Sequence, residues 1–239
     1  MVWLWQTIFY QPLLNLLVFI YNLVGGDMGI AIIVLTVLIK LILWPLSQQT
    51  LKSQKAMQRL QPQVAEIKAK YKDQKDKLAQ ELMQLYQRER VSPLSSCLPL
   101  IIQLPFLIAL FQVFRSGLNS GSLEWLYPFI TNPGHLNDTL FGFWHLAGRS
   151  IPLAVITGAA QFWQTKMLIT TKPPVAVPGS QDENMAAMMN KQMKYMLPAM
   201  TVVFGFTLPG GLMLYWLVNT LLTIGQQYLT FKKHDNPSS

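Results

Sequence analysis

The chain has 239 residues, of which 51% are hydrophobic and 13% charged, with a formal net charge of +8. Its apolar residues fall into blocks about 20 residues long separated by polar stretches, which excludes an ordinary soluble domain and predicts an all-α polytopic membrane protein. Cys97 is the only cysteine, which excludes an intramolecular disulfide framework and a CxxC zinc site, and no metal or cofactor is expected.

Residues 1–28 contain the apolar segment Ile8 to Val24, which carries Gln11, Asn15 and Asn22 at helical spacing on one face and Pro12 near its start. An extracytoplasmic amphipathic helix lying on the membrane surface fits this stripe; the rival is a sixth span, which would move the N-terminus inside. The first 26 residues hold no Lys or Arg, unlike a secretory signal, so the segment is read as part of the mature protein.

The first span, 29–46, contains the sequence TVLIKLILWPL, in which Lys40 stands among leucines and isoleucines. A central lysine costs about 3 kcal/mol to insert, while the twelve Ile, Leu and Val of the span contribute about 4 to 7 kcal/mol in favour. The helix therefore inserts despite Lys40. No Asp or Glu lies in any span, so an intramembrane salt bridge is ruled out as the reason for the charge. Either Lys40 snorkels to the cytoplasmic headgroups about 9 Å away, or it faces a water-filled recess. Thr36 stands one turn before it, and Gln103, Gln112, Gln161, Gln164, Asn219, Gln226 and Gln227 offer polar groups from other spans. Residue chemistry alone leaves both readings open.

Residues 47–93 are hydrophilic but patterned. Met57, Leu60, Val64, Ile67 and Tyr71 alternate spacings of three and four, and Leu78, Leu82 and Leu85 follow the polar run Lys72 to Lys77. This predicts an antiparallel coiled-coil hairpin with its tip near Asp73 to Asp76, and a kink or local restart at Pro62. Its basic surface suits anionic headgroups or ribosomal RNA.

A second span, 94–114, leads to a loop, 115–150, rich in aromatics: Trp125, Tyr127, Phe129, Phe141, Phe143 and Trp144. These are expected to form an interfacial belt. The third span, 151–169, is followed by an inner loop, 170–194, whose Lys172 to Glu183 stretch carries Pro173, Pro174, Pro178 and Gly179 and reads as a flexible linker. Met185, Met189, Met193, Met196 and Met200 then follow one helical face; they suit either packing or a surface that accepts many apolar partners.

One helix from Tyr195 to Leu229 would be about 50 Å long against a hydrocarbon core of about 30 Å. Leu208-Pro209-Gly210-Gly211 supplies a turn at its middle, giving a fourth span, 195–208, a fifth, 211–231, and a tail, 232–239. Of the 19 Lys and Arg, ten lie between Ser47 and Pro93, four between Lys166 and Lys194, and two at Lys232 and Lys233. Five spans put all three clusters in the cytoplasm, with the N-terminus outside and the C-terminus inside.

The chain offers no catalytic constellation. His135 and His145 lie in the outer loop and His234 in the tail, and GLNSGS, Gly117 to Ser122, lacks the GxSxG spacing and lies at a loop, so an intramembrane serine protease is not expected. No Gly-rich phosphate loop is visible either. A transporter or channel with Lys40 as an anion site is the alternative class, although no inverted repeat of broken segments supports it.

The string RVSPLSSCLPLIIQLPFLIALF, Arg90 to Phe111, closely resembles the segment that marks the YidC membrane-protein insertases, relatives of the mitochondrial Oxa and chloroplast Alb proteins. QPLLNLLVFIYNLVG and IKLILWPLSQQTLKSQKAMQRLQPQV are similar to the family's surface helix, first core span and coiled-coil entry, and LPGGLMLYWLVNTLLTIGQQYL to its closing hairpin. The resemblance implies five transmembrane helices around a hydrophilic groove open to the cytoplasm and closed outside. It also implies an insertase and chaperone that takes hydrophobic segments of nascent membrane proteins into the bilayer without ATP. Ribosomes and targeting factors, recruited through the hairpin and tail, and the Sec translocon would be partners of a functional monomer in the bacterial inner membrane.

By the same resemblance Lys40 stands where the family usually has an arginine on the groove wall, and Thr36 at the polar position one turn before. Tyr215 and Trp216 match the aromatic pair of the last span, Gln161 a groove glutamine, and Gln103 lies in the family's recognition segment. Lysine keeps the charge but loses the bidentate fork, so only a mechanism that needs a hydrated charge carries over. The large extracytoplasmic domain of Gram-negative members has no counterpart, which leaves a minimal core, natural or trimmed.

Overall fold

The computed structural model describes residues 2–72, 74–92, 98–115, 123–168 and 192–235. Cys97, Gly117 to Ser122, the linker Lys172 to Glu183, Met185, Met189 and the side chain of Met193 lie outside the described residues.

Helix α1 (Val2–Trp5) passes through π-helical turns at Gln6–Tyr10 into α2 (Gln11–Leu23). The wide turn precedes Pro12, whose missing N–H and ring disfavour a regular α-helical turn at that point. The helix stops at Gly25 and Gly26, whose φ angles of 78° and 84° are open to glycine at no steric cost, and Gly26 N–H closes the end on Tyr21 O at 3.0 Å. Asp27 then caps α3 (Met28–Ile42) by accepting from Ile30 N–H at 2.9 Å.

Helix α3 ends four residues before the hydropathic span does. Pro45 begins a new helix, α4 (Trp44–Lys70), bent from α3 by 68°, because proline can enter a helix only in its first turn. Helix α4 runs unbroken through Pro62, so no restart occurs there; Pro62 is exposed, where water can meet the carbonyl that loses its partner. Helix α5 (Lys75–Arg88) folds back on α4, burying Leu60, Val64 and Leu85 with Ile67, Leu82, Tyr86 and Val91 against them.

Helices α6 (Leu98–Arg115), α7 (Ile151–Leu168), α8 (Leu197–Gly205, entered through π-helical turns at Gln192–Met196) and α9 (Gly210–Asp235) complete the bundle. The core gathers Leu14, Leu17, Met28, Ile32, Leu35, Leu110, Leu212 and Met213 from α2, α3, α6 and α9. Among the described residues, Trp3–Leu23 is the one helix long and apolar enough to cross a membrane unaided, and α3 with α4 meet the same measure only as a bent pair.

Residues 123–150 are packed, since Leu123, Ile130, Leu136, Leu140 and Leu146 all belong to the core. Their strands β1 (Thr139–Leu140) and β2 (Trp144–His145) pair antiparallel, Leu140 opposite Trp144. They are joined by a turn in which Phe141 and Gly142 have φ angles of 55° and 77°. Positive φ is open to glycine and tolerated by asparagine; a phenylalanine there costs about 1–2 kcal/mol of backbone strain. Leu140 lies so close over α3 that a Cβ on Gly29 would overlap it.

Candidate functional site: a polar seam between α3 and α9

Helix α9 carries Tyr215, Asn219, Thr223, Gln226 and Thr230 at spacings of four, four, three and four, which sets them on one stripe. The α3–α4 bend lies against this stripe. Lys40, half-buried in the last turn of α3, donates from Nζ to Thr223 Oγ1 at 2.8 Å. The Thr223 hydroxyl in turn donates to Asn219 O at 2.7 Å, so its lone pair is aimed at the ammonium. The C-terminal end of α3 also favours a cation. Among the described residues no acidic side chain pairs with Lys40.

The seam continues toward the ends of both helices. Gln226 Nε2 donates to Ser47 Oγ at 2.9 Å and to Trp44 O at 3.3 Å, and Lys55 Nζ donates to Phe231 O at 3.0 Å while lying 5.1 Å from the centre of the Phe231 ring. Gln227 is fully buried, yet neither atom of its amide has a hydrogen-bond partner among the described residues, and Gln54 Oε1 is likewise buried and unpaired among them. Such groups cost about 1–3 kcal/mol each.

The residues singled out from sequence fall into three separate groups. Lys40 meets Thr223, Gln103 Nε2 donates to the buried Tyr215 hydroxyl, and Gln161 on α7 accepts from Thr201 on α8. Tyr215 lies about 12 Å from Thr223 along α9, and Trp216 is half-buried beside it. Thr36 is buried, and its hydroxyl donates to Ile32 O at 2.6 Å on its own helix. Sequence reasoning missed Thr223, Ser47 and Thr201, although Thr223 sits four residues from Asn219 on the stripe.

Asn15 forms a further polar junction. It is buried, donates to Trp125 O at 3.0 Å and accepts from Tyr127 N–H at 2.6 Å, while Asn22 donates to Thr131 O at 2.8 Å. The polar stripe of α2 therefore faces the backbone of residues 125–131.

A mostly helical chain that buries a polar seam and leaves Ile101, Leu104, Ile108, Val203 and Phe204 exposed on its helices is an all-α membrane protein. The family model described as "60Kd inner membrane protein" matches residues 19–237. A relative from Fusobacterium nucleatum subsp. nucleatum named "Membrane protein insertase YidC" is 37% identical, with 94% of this chain and 97% of the relative covered. "Membrane protein insertase YidC 1" of Halalkalibacterium halodurans is 34% identical over 94% of this chain and 78% of its own length. The chain spans only 38% of the Pelobacter propionicus "Membrane protein insertase YidC", to which it is 36% identical over 93% of its residues. The chain belongs to the 60Kd inner membrane protein family, that of YidC and Oxa, and its place is the bacterial inner membrane.

Proposed function

We propose that the chain is a non-enzymatic membrane protein insertase whose polar seam is the wall of a groove open to the cytoplasm. The observation that carries this reading is Lys40: a cation in an apolar helix, held by a neutral hydroxyl, with no acidic partner among the described residues. A fixed charge of this kind suits a transient polar visitor. The polar flank of a nascent span, costly to place in hydrocarbon, meets Lys40 and the α9 stripe part-way across; burial of the apolar span then drives the step without ATP.

In this reading α3, α6, α7, α8 and α9 are the five spans, and α4–α5 is a cytoplasmic coiled-coil hairpin. The helix from Trp3 to Leu23 lies along the outer surface. Two contacts support that placement: Trp5 Nε1 donates to Gln112 Oε1 at 2.8 Å, and Asn22 bonds Thr131 O. Gln112 lies in the last turn of α6 and Thr131 in the segment that follows α6, so contacts at both ends of the N-terminal helix favour a helix along the surface over a sixth span. The ordered segment 123–150 then covers the outer ends of α3 and α9, closing the groove on that side. Basic residues on the hairpin and tail recruit ribosomes and targeting factors, with the Sec translocon as a further partner, and one copy of the chain suffices.

Reconstitution tests the function. Proteoliposomes holding only this protein should insert a single-span substrate with an acidic outer tail, read by protease protection, without ATP or an ion gradient. Solute flux without insertion would replace the reading with that of a transporter or channel.

A further inference from the structure

We propose that the hairpin tip Phe141–Gly142–Phe143 is a lipid anchor that seats the insertase at the outer headgroup boundary. The Phe141 and Phe143 rings stack at 6.5 Å and are 63% and 71% exposed, so they add little to the core. Phe141 nevertheless occupies a left-handed position that an asparagine or glycine would fill without strain. A bulky apolar residue kept there at a cost to the fold points to a contact outside it. The stretch Thr139 to Trp144 carries no charge.

Two sets of contacts give the depth of the tip. Leu140, next to Phe141, is buried against Gly29 in the first turn of α3. On the other side, Leu146 O and Gly148 O accept from Gly211 N–H at 2.9 Å and Gly210 N–H at 2.7 Å, the first residues of α9. The hairpin is thus clamped level with the ends of two spans, where the hydrocarbon gives way to headgroups. Aromatic rings are favoured at that level. Trp144 turns the other way, partly buried, with Nε1 donating to Ser150 Oγ at 3.2 Å.

This inference rests on the outer placement of residues 123–150 proposed above, and the test separates the two. Nitroxide labels are attached at Phe141→Cys, Phe143→Cys and His135→Cys, each in a Cys97→Ser background, in vesicles of phosphatidylethanolamine and phosphatidylglycerol. Collision rates with oxygen and with a neutral nickel chelate are then measured. The oxygen-to-nickel ratio at 141 and 143 should exceed that at 135 by about tenfold, equivalent to about 1.4 kcal/mol of partition free energy. Equal ratios at all three positions would show a tip in water and overturn the anchor. Low rates with both reagents would show a protein partner or a second copy there, and overturn it too. Labelling of His135→Cys by an impermeant maleimide from one face reports sidedness, so a loop on the wrong side is told apart from a tip that misses the lipid.

Discussion

Lys40 Nζ lies 2.8 Å from Thr223 Oγ1, and the Thr223 hydroxyl is itself committed to Asn219 O. This relay holds the ammonium on α9 by one of its three donors. The cation is therefore oriented, and no acidic side chain among the described residues neutralises it, which is the state the proposed groove charge needs if it is to meet a passing acidic group.

Replacing Lys40 separates charge from geometry. Lys40→Arg should retain insertion, since the charge persists, whereas Lys40→Leu should slow insertion of substrates with acidic outer tails roughly tenfold, the loss of one hydrogen bond to a charged group. Thr223→Val should fall between the two. Initial rates of protease protection in proteoliposomes measure all three, and normal insertion by Lys40→Leu would make the groove charge dispensable.

Gln227 sets stability against function. Its buried amide bonds nothing among the described residues, so Gln227→Leu should stabilise the fold by about 1–3 kcal/mol, seen as a higher Tm in detergent. If the amide serves the groove, the same variant inserts substrate more slowly. An unchanged or lower Tm would mean that the amide is already satisfied in the membrane.

Asn15 ties the N-terminal helix to the backbone of Trp125 and Tyr127. Asn15→Ala removes the acceptor of Tyr127 N–H and one of two side-chain donors to Trp125 O, Gln11 keeping the other, at a cost of about 1–3 kcal/mol. Hydrogen exchange at residues 125–131 should accelerate while that of α9 stays unchanged. Uniform acceleration across both would point to global loss of stability instead.

The Asp138 carboxylate carries a pH dependence. Burial pushes its pKa up, but Ala147 N–H at 3.0 Å and the His145 ring at 3.2 Å outweigh that and hold it below the usual carboxylate range. A depressed carboxylate contributes stability that is present above its unfolded pKa of about 4 and is lost as pH falls through the lower folded value. Cleavage of residues 138–148 by an acid-active protease should therefore rise below about pH 4. Asp138→Asn should remove that acid-dependent step.

Gly29 admits no side chain beneath Leu140. Gly29→Val should force the hairpin off α3 and lower stability by about 1–3 kcal/mol, with a reduced Tm as the readout and Gly25→Ala, where nothing crowds the site but φ is 78°, as a comparison for backbone strain alone.

Local pattern and composition determined much about this protein. Apolar blocks marked a helical membrane protein, the spacing of Leu60, Val64, Ile67, Leu82 and Leu85 picked out residues that pack between α4 and α5, and the lack of Asp or Glu in the apolar segments agrees with a Lys40 that has no acidic partner among the described residues. Each of these is a property of residues within a few helical turns. Which helix faces which depends on crossing angles and on the 68° bend at Pro45, and no local period encodes those. Only the tertiary structure paired Lys40 with Thr223, 183 residues away, and set Gln161 against Thr201 apart from the seam. It also turned the polar stripe of α2 onto the backbone at Trp125. The aromatic loop shows the division most plainly: composition marked six rings alike, but packing buried part of Trp144 and left Phe141 and Phe143 outside, because the contacts of Leu140 and Leu146 decide which side of the hairpin meets the core.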